Sequence, residues 1–183
     1  MTVQLKRKKM QTLYNTLKKQ FPLGEITEQR NDLGFITLEA DHLRTLLTYL
    51  RDREGFTHLV LLTAVDWLED GQFQLTYLIA NRAKRQDLGL RVMLPREDAS
   101  MESIHDLWPT AATYQRELRE MFGIDFPDSP RVNEAFILEG WTETPPYRRD
   151  FDTLEYSDKT YRVREGRATK DPAQHMKEQL YPD

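Results

Sequence analysis

Apolar residues recur at helical spacing in two stretches of the N-terminal third of the chain. The first stretch runs from Met10 to Phe21 and is followed by the helix-breaking residue Pro22. The second is expected to begin with Asp41 as its cap and to end at Gly55. Each stretch places its apolar side chains on one face, so two amphipathic helices are predicted.

Strand-like patterns lie between and after these two helices. Residues 25–30 and 33–38 flank the turn-forming pair Asn31-Asp32, which predicts a β-hairpin. Three longer strands are predicted at residues 57–67, 73–80 and 88–94. The first is almost continuously apolar, which predicts a strand covered on both faces, whereas the other two alternate. The hairpin-length connections favour an α+β fold, with helices packed on a mainly antiparallel sheet, over a doubly wound parallel sheet.

The pattern weakens in the C-terminal third. Residues 101–108 predict a short helix, and a further helix is expected to hold Pro109 in its first turn and to end at Gly123. Beyond it the chain is highly charged and contains six of the nine prolines. We therefore expect a globular α+β domain over residues 1–126 and an extended, Pro-rich C-terminal segment over residues 127–183 that is either disordered or laid over another surface.

Composition narrows the classes of function. The chain has 183 residues, 26 of them Lys or Arg and 30 Asp or Glu, for a net charge of −4. This balance argues against a dedicated nucleic-acid binder. The absence of cysteine excludes thiolate-held iron–sulfur clusters, cysteine zinc sites and thiol nucleophiles in this chain. Its longest mainly apolar run, residues 59–65, is far shorter than the roughly 20 residues that cross a bilayer, so a soluble or peripheral protein is expected.

The chemistry-bearing side chains show no arrangement typical of an active site. There are four histidines, His42, His58, His105 and His175. None has a second histidine or a carboxylate at metal-ligand spacing on the same predicted face, and no Gly-rich phosphate loop or Ser/His/Asp pattern is present. We expect no catalytic, cofactor-binding or metal-binding residues in this chain.

Two stretches have the composition of an interaction surface. One sets Arg116 and Glu117 against an apolar helix end, and the other, residues 141–152, combines aromatic residues, prolines and paired arginines. The predicted partner interface consists of Arg116, Glu117, Trp141, Pro145, Arg148, Arg149, Asp150 and Phe151. Ordinary solvated charges are the alternative interpretation. Binding of nucleic acid to the arginine pair is rejected because the surrounding carboxylates would repel phosphate.

The same stretches resemble the 30 kDa subunit of respiratory complex I, known in bacteria as the C subunit of NADH-quinone oxidoreductase. Residues 63–67 are similar to the Thr-Ala-Val-Asp-aromatic strand end of this family. Residues 116–126 resemble its signature helix, Glu-Arg-Glu-x-x-Asp-Met-Phe-Gly-Ile-x-Phe, with Gln115 in place of the first Glu and Glu120 in place of the Asp. Residues 141–151 resemble its Trp-x-Gly-x-Pro-x-Arg-Lys-Asp-aromatic segment. Asp128-Ser129 stands where the family has Gly-His.

The resemblance implies a structural and assembly subunit without a cofactor of its own. It implies a place in the peripheral arm, on the cytoplasmic side of the membrane, with membrane association only through the complex. The implied partners are the large catalytic 49 kDa-type subunit and neighbouring iron–sulfur subunits, which would hold the iron–sulfur clusters and the quinone site. The complex would couple electron transfer to proton or ion translocation.

The resemblance also gives roles to the predicted interface. Arg116 and Glu117 would fix the signature helix by charge-assisted hydrogen bonds, while Arg148, Arg149 and Asp150 would clamp the tail to the large subunit. Two alternatives stay open. The chain could be the equivalent subunit of a membrane-bound nickel–iron hydrogenase or ferredoxin-oxidising relative, or an independent soluble binding module.

Overall fold

The computed structural model describes residues 2–161 and 172–181. Within them the helices are α1 (Thr2–Leu17), α2 (Ala40–Asp52), α3 (Ala111–Phe122), α4 (Thr153–Thr160) and α5 (Pro172–Leu180). The strands are β1 (Ile26–Arg30), β2 (Leu33–Thr37), β3 (His58–Trp67), β4 (Gln72–Asn81) and β5 (Gln86–Pro95). By its contacts the chain divides into two units, Met1–Asp150 and Phe151–Asp183.

The strands form one five-stranded sheet in the order β1-β2-β5-β4-β3. Every neighbouring pair is antiparallel except β2 and β5, which are parallel. In that pair Phe35 lies opposite Gly89, and a Cβ atom at Gly89 would come within 2.2 Å of the Phe35 ring. A glycine is therefore required where this ring crosses the central strand. The predicted α+β class with a mainly antiparallel sheet is confirmed.

The core lies between one face of the sheet and the helices α1, α2 and α3. The alternating residues of β4 that face it, Phe73, Leu75, Tyr77 and Ile79, are all fully buried. The three helices contribute their apolar faces to the same cluster, including Leu17, Leu46, Leu47 and Leu118. Because burial of one such side chain stabilises the fold by about 1.5–3 kcal/mol, this layer has many contributors and no single critical one.

The long strand β3 differs from its prediction. Burial alternates along it, with Ala64 and Asp66 buried while Val65 and Trp67 are 43% and 42% exposed. The prediction that both faces are covered was wrong. The physical reason is position, because β3 is an edge strand of a sheet whose core-forming helices pack on one face, so only alternate side chains reach the core.

The predicted helix over residues 101–108 is absent. Ile104 O accepts hydrogen bonds from the backbone N–H groups of Leu107 and Trp108, which makes a turn, while Met101 pairs instead with Asp125 O at 2.9 Å. Met101, Ile104 and Trp108 are all buried. Their helix-like spacing thus reflects the burial of an irregular segment. The backbone of this segment forms hydrogen bonds with other parts of the fold, such as Asp125, and not within a helix.

The starts of two helices also differ from prediction. Asp41 lies in the first turn of α2, and Glu39 occupies the capping position without a side-chain bond. Pro109 precedes Thr110, the capping position of α3, rather than lying in its first turn. At the other end, α3 ends at Phe122 with Gly123 as its cap, as predicted, and Gly123 adopts the left-handed conformation, with φ of 77°.

Residues after α3 were expected to be extended from residue 127. The structure assigns residues 127–150 to the first compact unit, so the division falls after Asp150 rather than after residue 126. In the second unit the Asp152 side chain caps α4 by accepting from the N–H groups of Leu154 and Glu155, and α5 follows. Residues 162–171 and 182–183 of the predicted segment lie outside the described residues, and its docking on a partner stays a prediction.

Candidate partner interface

The segment before the unit boundary is fastened to the C-terminal end of α3. Tyr147 N–H donates to Met121 O at 3.0 Å, and Arg148 Nε donates to Phe122 O at 2.7 Å. The last carbonyls of a helix have no partner within it, so these two bonds satisfy groups that would otherwise need water. The Arg148 guanidinium also lies 5.4 Å from the centre of the buried Phe73 ring.

Gly123 makes this attachment possible in two ways. Its positive φ is unfavourable for residues with a side chain, and a Cβ atom there would lie 3.0 Å from Arg148 Nη2 and 3.4 Å from Pro145 Cγ. The helix end and the segment that crosses it therefore need glycine at the same position. Pro145 itself is half-buried, and its carbonyl accepts from Arg148 N–H at 3.0 Å.

A buried carboxylate joins this segment to the end of β3. The Asp66 side chain is 1% exposed and accepts from Arg96 Nε at 2.8 Å and Nη2 at 3.1 Å. It also accepts from the backbone N–H of Arg149 at 2.9 Å. Arg96 in turn donates to Asp150 Oδ1 at 2.9 Å. Two segments that resemble the family separately are thus connected in space through Arg96, a residue that the sequence interpretation missed.

The Arg149 guanidinium extends from the same network to the surface. It pairs with Glu69, and this hydrogen bond holds the pKa of the Glu69 carboxyl below its ordinary value. Both side chains are more than half exposed, so the pair adds little stability. Arg148, Arg149 and Asp150 all have partners within the chain, and a clamp on another subunit stays a prediction.

A second carboxylate holds the loop that follows residue 131. Glu120, near the end of α3, accepts from the backbone N–H groups of Phe136 at 2.7 Å, Ile137 at 2.9 Å and Leu138 at 3.2 Å. An ionised carboxylate forms stronger hydrogen bonds than a neutral acceptor, so one side chain organises three successive residues. No local pattern indicates this role, because Glu120 lies in a run of alternating charges.

Arg116 and Glu117 have fewer contacts than expected. Both are half-buried, and the Arg116 guanidinium lies 5.5 Å from the centre of the Phe136 ring. Its Nε atom is buried and has no hydrogen-bond partner in the part of the chain that the structure describes. Among the described residues Glu117 makes no hydrogen bond or ion pair, so the charge-assisted bonds predicted for this pair are not among the contacts of α3.

The aromatic members of the predicted interface lie in different units. In the first unit Trp141 is half-buried, and its indole N–H donates to Thr144 O at 3.1 Å. In the second unit the Phe151 ring packs against Tyr156, with ring centres 5.6 Å apart. The eight predicted residues therefore do not form one continuous patch within a single unit.

Two departures from the family pattern contact each other. Gln115 is fully buried, and its Oε1 accepts from Ser103 Oγ at 2.8 Å and Ser129 Oγ at 2.7 Å. The family pattern has Glu and His at positions 115 and 129. In this chain a neutral amide and a hydroxyl occupy the two positions, so the interior carries no charge there.

The described residues contain no group of three or more His, Asp or Glu side chains that could hold a metal ion. The side chain of His175 lies outside this part. Among the same residues, no helix combines the length and apolar character needed to cross a membrane. The expectation that this chain holds no cofactor stays a prediction.

The first unit is an α+β domain whose helices pack on one face of a mixed sheet. A segment held by charged side chains crosses the end of α3. The model of the respiratory-chain NADH dehydrogenase 30 kDa subunit family matches residues 36–157. The chain belongs to this family.

Bacterial relatives agree with this assignment. The C subunit of NADH-quinone oxidoreductase from Moorella thermoacetica is 30% identical over 78% of this chain and 95% of its own length. The counterpart from Ruegeria pomeroyi is 35% identical over 80% of this chain and 76% of its own length. The C/D 2 subunit of the Aquifex aeolicus enzyme is 32% identical over 68% of this chain, which corresponds to 21% of that longer protein.

Solved structures show the same fold. A chain of the membrane-bound sulfane sulfur reductase, an archaeal respiratory membrane complex, superposes with a TM-score of 0.80 and 26% identity, covering 90% of this chain and 97% of its own. A trypsin-resistant fragment of Nqo5 superposes with a TM-score of 0.56 and 21% identity, covering 66% of this chain and 96% of its own. The second likeness bears on the fold alone.

Proposed function

We propose that this chain is a cofactor-free structural and assembly subunit in the peripheral arm of a complex I-like oxidoreductase. The observation that carries the proposal is that its motif residues bind its own backbone. Asp66, Glu120 and Arg148 direct their polar groups to residues 122–149. Such contacts build a rigid surface, and a rigid surface is what a scaffold supplies to its neighbours.

The proposed partners are the large 49 kDa-type subunit and the adjacent iron–sulfur subunits. The Aquifex relative supports the first, because its name assigns it to both C and D and the similar part is only 21% of its length. The iron–sulfur clusters and the quinone would belong to those partners. The chain would lie on the cytoplasmic side and reach the membrane only through a complex that moves protons or ions.

Within this proposal the predicted interface residues divide by exposure. Arg148 is half-buried and holds the end of α3, so its main role is inside the chain. Arg149 and Asp150 keep surface available, and so does Tyr147, a neighbour that was not among the predicted residues and is 57% exposed. These exposed groups are the ones we expect to contact the large subunit.

The test is purification of the affinity-tagged chain from membranes of its own host in a mild detergent. We expect the large subunit and iron–sulfur subunits to co-purify, and the tagged chain itself to contain no stoichiometric iron, nickel, zinc or flavin once separated from them. A monodisperse monomer without partners would instead favour an independent binding module and would contradict the proposal.

A second candidate is the equivalent subunit of a sulfur-reducing or hydrogen-evolving relative. The specific observation in its favour is that the chain of the sulfane sulfur reductase complex covers 90% of this chain with a TM-score of 0.80. The two candidate complexes differ in their electron donor. Reduction of quinone by NADH in the purified complex supports the first candidate. Oxidation of ferredoxin, or paired Cys-x-x-Cys nickel-ligand motifs in the co-purified large subunit, supports the second.

A further inference from the structure

A cleft of about 420 Å³ lies between the end of α3 and the loop formed by residues 132–145. Its apolar lining includes Val132, Leu138 and Pro145, and Trp141 also borders it. The three hydrogen bonds from backbone N–H groups to Glu120 fix the shape of this loop. The cleft is therefore a formed feature of the first unit, large enough for one or two side chains.

The loop around this cleft is acidic. Residues 132–147 contain three glutamates and neither lysine nor arginine. This composition gives the rim of the cleft a negative potential.

Most of the charges that line the cleft are already balanced. The Glu120 carboxylate binds three peptide N–H groups, and Glu134 pairs with Arg131. Arg119 forms an ion pair with Asp125, with 3.5 Å between Arg119 Nη1 and Asp125 Oδ1.

Glu143 is the exception. It lines the cleft, is exposed, and makes no hydrogen bond or ion pair with any residue that the structure describes. It stands two residues from Trp141, which borders the same opening. A carboxylate at the mouth of a cleft is suited to a cation on a long side chain, because the two opposite charges pair through a charge-assisted hydrogen bond.

We propose that the cleft binds a lysine or arginine side chain carried by an otherwise apolar segment of another subunit of the same complex. The inference rests on the proposed function, since it takes the partner to be a subunit of that complex. Charge complementarity selects a basic occupant, because an acidic or phosphorylated segment would meet the glutamates of the rim. Ile137, 67% exposed on the same loop, offers apolar surface for the residues that flank the cation.

The experiment compares two charge reversals on this loop in the tagged full-length chain. Glu143→Lys places a like charge at the cleft, whereas Glu139→Lys makes the same change at an exposed residue that does not line it. We expect the co-purified large subunit to fall about tenfold with Glu143→Lys and clearly less with Glu139→Lys, which alters the charge of the rim but not of the lining. Thermal unfolding of both purified variants verifies that each folds like the unmodified chain.

A photo-crosslinking residue placed at position 143 identifies the occupant. We expect an adduct with a partner peptide that contains lysine or arginine among apolar residues. An adduct with a second copy of this chain, or with an acidic segment, would overturn the inference. Equal recovery of the large subunit with both variants would overturn it as well, while leaving the proposed function standing. If the unmodified chain recovers no subunit at all, the proposed function fails, and this inference fails with it.

Discussion

Two parts of the Met1–Asp150 unit are held by different kinds of contact. Residues 10–126, which hold the sheet, the helices α1 to α3 and their connections, contribute more than thirty buried apolar side chains to one cluster, most of them close to 0% exposed. In residues 127–150 the only buried apolar side chain is Val132, at 9%. That segment is fastened by Asp66, Glu120 and Arg148, each through hydrogen bonds to backbone groups.

The difference predicts opposite responses to substitution. Apolar stabilisation scales with buried area and is spread over many residues, so a single change removes a small share. A hydrogen bond to a carboxylate is directional, and removing the acceptor leaves buried donors unsatisfied. The loop segment should therefore be sensitive at a few charged positions.

The largest effect is expected from Asp66→Asn. The change removes a buried charge that binds Arg96 and the Arg149 backbone, and we expect the free energy of unfolding to fall by about 3 kcal/mol. Urea denaturation measures it. The matched control is Asp32→Asn, because Asp32 pairs with Arg30 on the surface with both side chains more than half exposed. That change should cost about 0–1 kcal/mol, and equal losses at the two positions would contradict the comparison.

Substitution of two glycines with similar backbone conformations distinguishes the cost of backbone strain from the cost of a steric clash. Gly123→Ala and Gly140→Ala both place a side chain at positive φ, 77° and 73°. At Gly140 nothing lies within 4 Å of the added Cβ, so the cost should be the backbone term of about 1–2 kcal/mol. At Gly123 the added atom meets Arg148 and Pro145, so the loss should be larger. Thermal or urea unfolding decides it, and a smaller loss at Gly123 would show that the segment over α3 adapts freely.

Glu120→Gln should loosen the loop more than it destabilises the domain. We expect a loss of about 1–2 kcal/mol in unfolding free energy, together with faster hydrogen exchange at the amides of residues 136–138. Glu117→Gln, one turn earlier on α3, is the control, because Glu117 has no hydrogen bond among the described residues. It should change stability by no more than about 0.5 kcal/mol. Unchanged exchange at these three amides in the Glu120→Gln variant would mean that the loop is held by its apolar contacts instead.

The smallest effect tests the sheet layer itself. The Tyr77 hydroxyl is buried and has no hydrogen-bond partner among the described residues, so Tyr77→Phe should raise the free energy of unfolding by about 1 kcal/mol. The Tyr114 hydroxyl, in contrast, donates to Val60 O at 3.0 Å, so Tyr114→Phe should lower the free energy of unfolding by a similar amount. The same sign for both substitutions would show that the contacts of the hydroxyl do not govern the change.

The Tyr77 phenol also gives a pH dependence. Burial raises the pKa of Tyr77 above its ordinary value, so the folded state retains this proton at a pH where the unfolded state releases it. The contribution of this proton to the free energy of unfolding is complete below about pH 10, the pKa of tyrosine in the unfolded chain. It is lost as the pH rises above that value. Unfolding free energies measured through alkaline pH should decline more steeply for the unmodified chain than for Tyr77→Phe.

Local patterns located the five strands and the helices α1 to α3, although they also predicted a helix at residues 101–108 that is absent, and they did not indicate how the strands pair. The hairpin around Asn31-Asp32 and the buried face of β4 were predicted correctly, because both depend on neighbouring residues. The parallel pairing of β2 with β5 joins residues 33–37 to residues 87–91, and no turn or spacing signals it. Registers of this kind depend on the whole sheet.

The interface was harder to predict for a related reason. Arg96 and Glu120 look like ordinary surface charges in the sequence, and only the fold shows that they bind Asp66 and the loop backbone. Arg148 was assigned to a partner, yet it donates to Phe122 O within the chain. Residue type indicated which side chains form strong contacts, but the contacting group could be identified only from the three-dimensional arrangement.

The place of β5 has a consequence for synthesis. This strand is the last of the five in the chain, yet it lies at the centre of the sheet between β2 and β4. Until it leaves the ribosome, the β1–β2 hairpin and the β3–β4 hairpin each present an open edge with no neighbour. A nascent chain that stops at Arg85 would hold two separate hairpins able to pair with other chains, and ten further residues join them into one sheet.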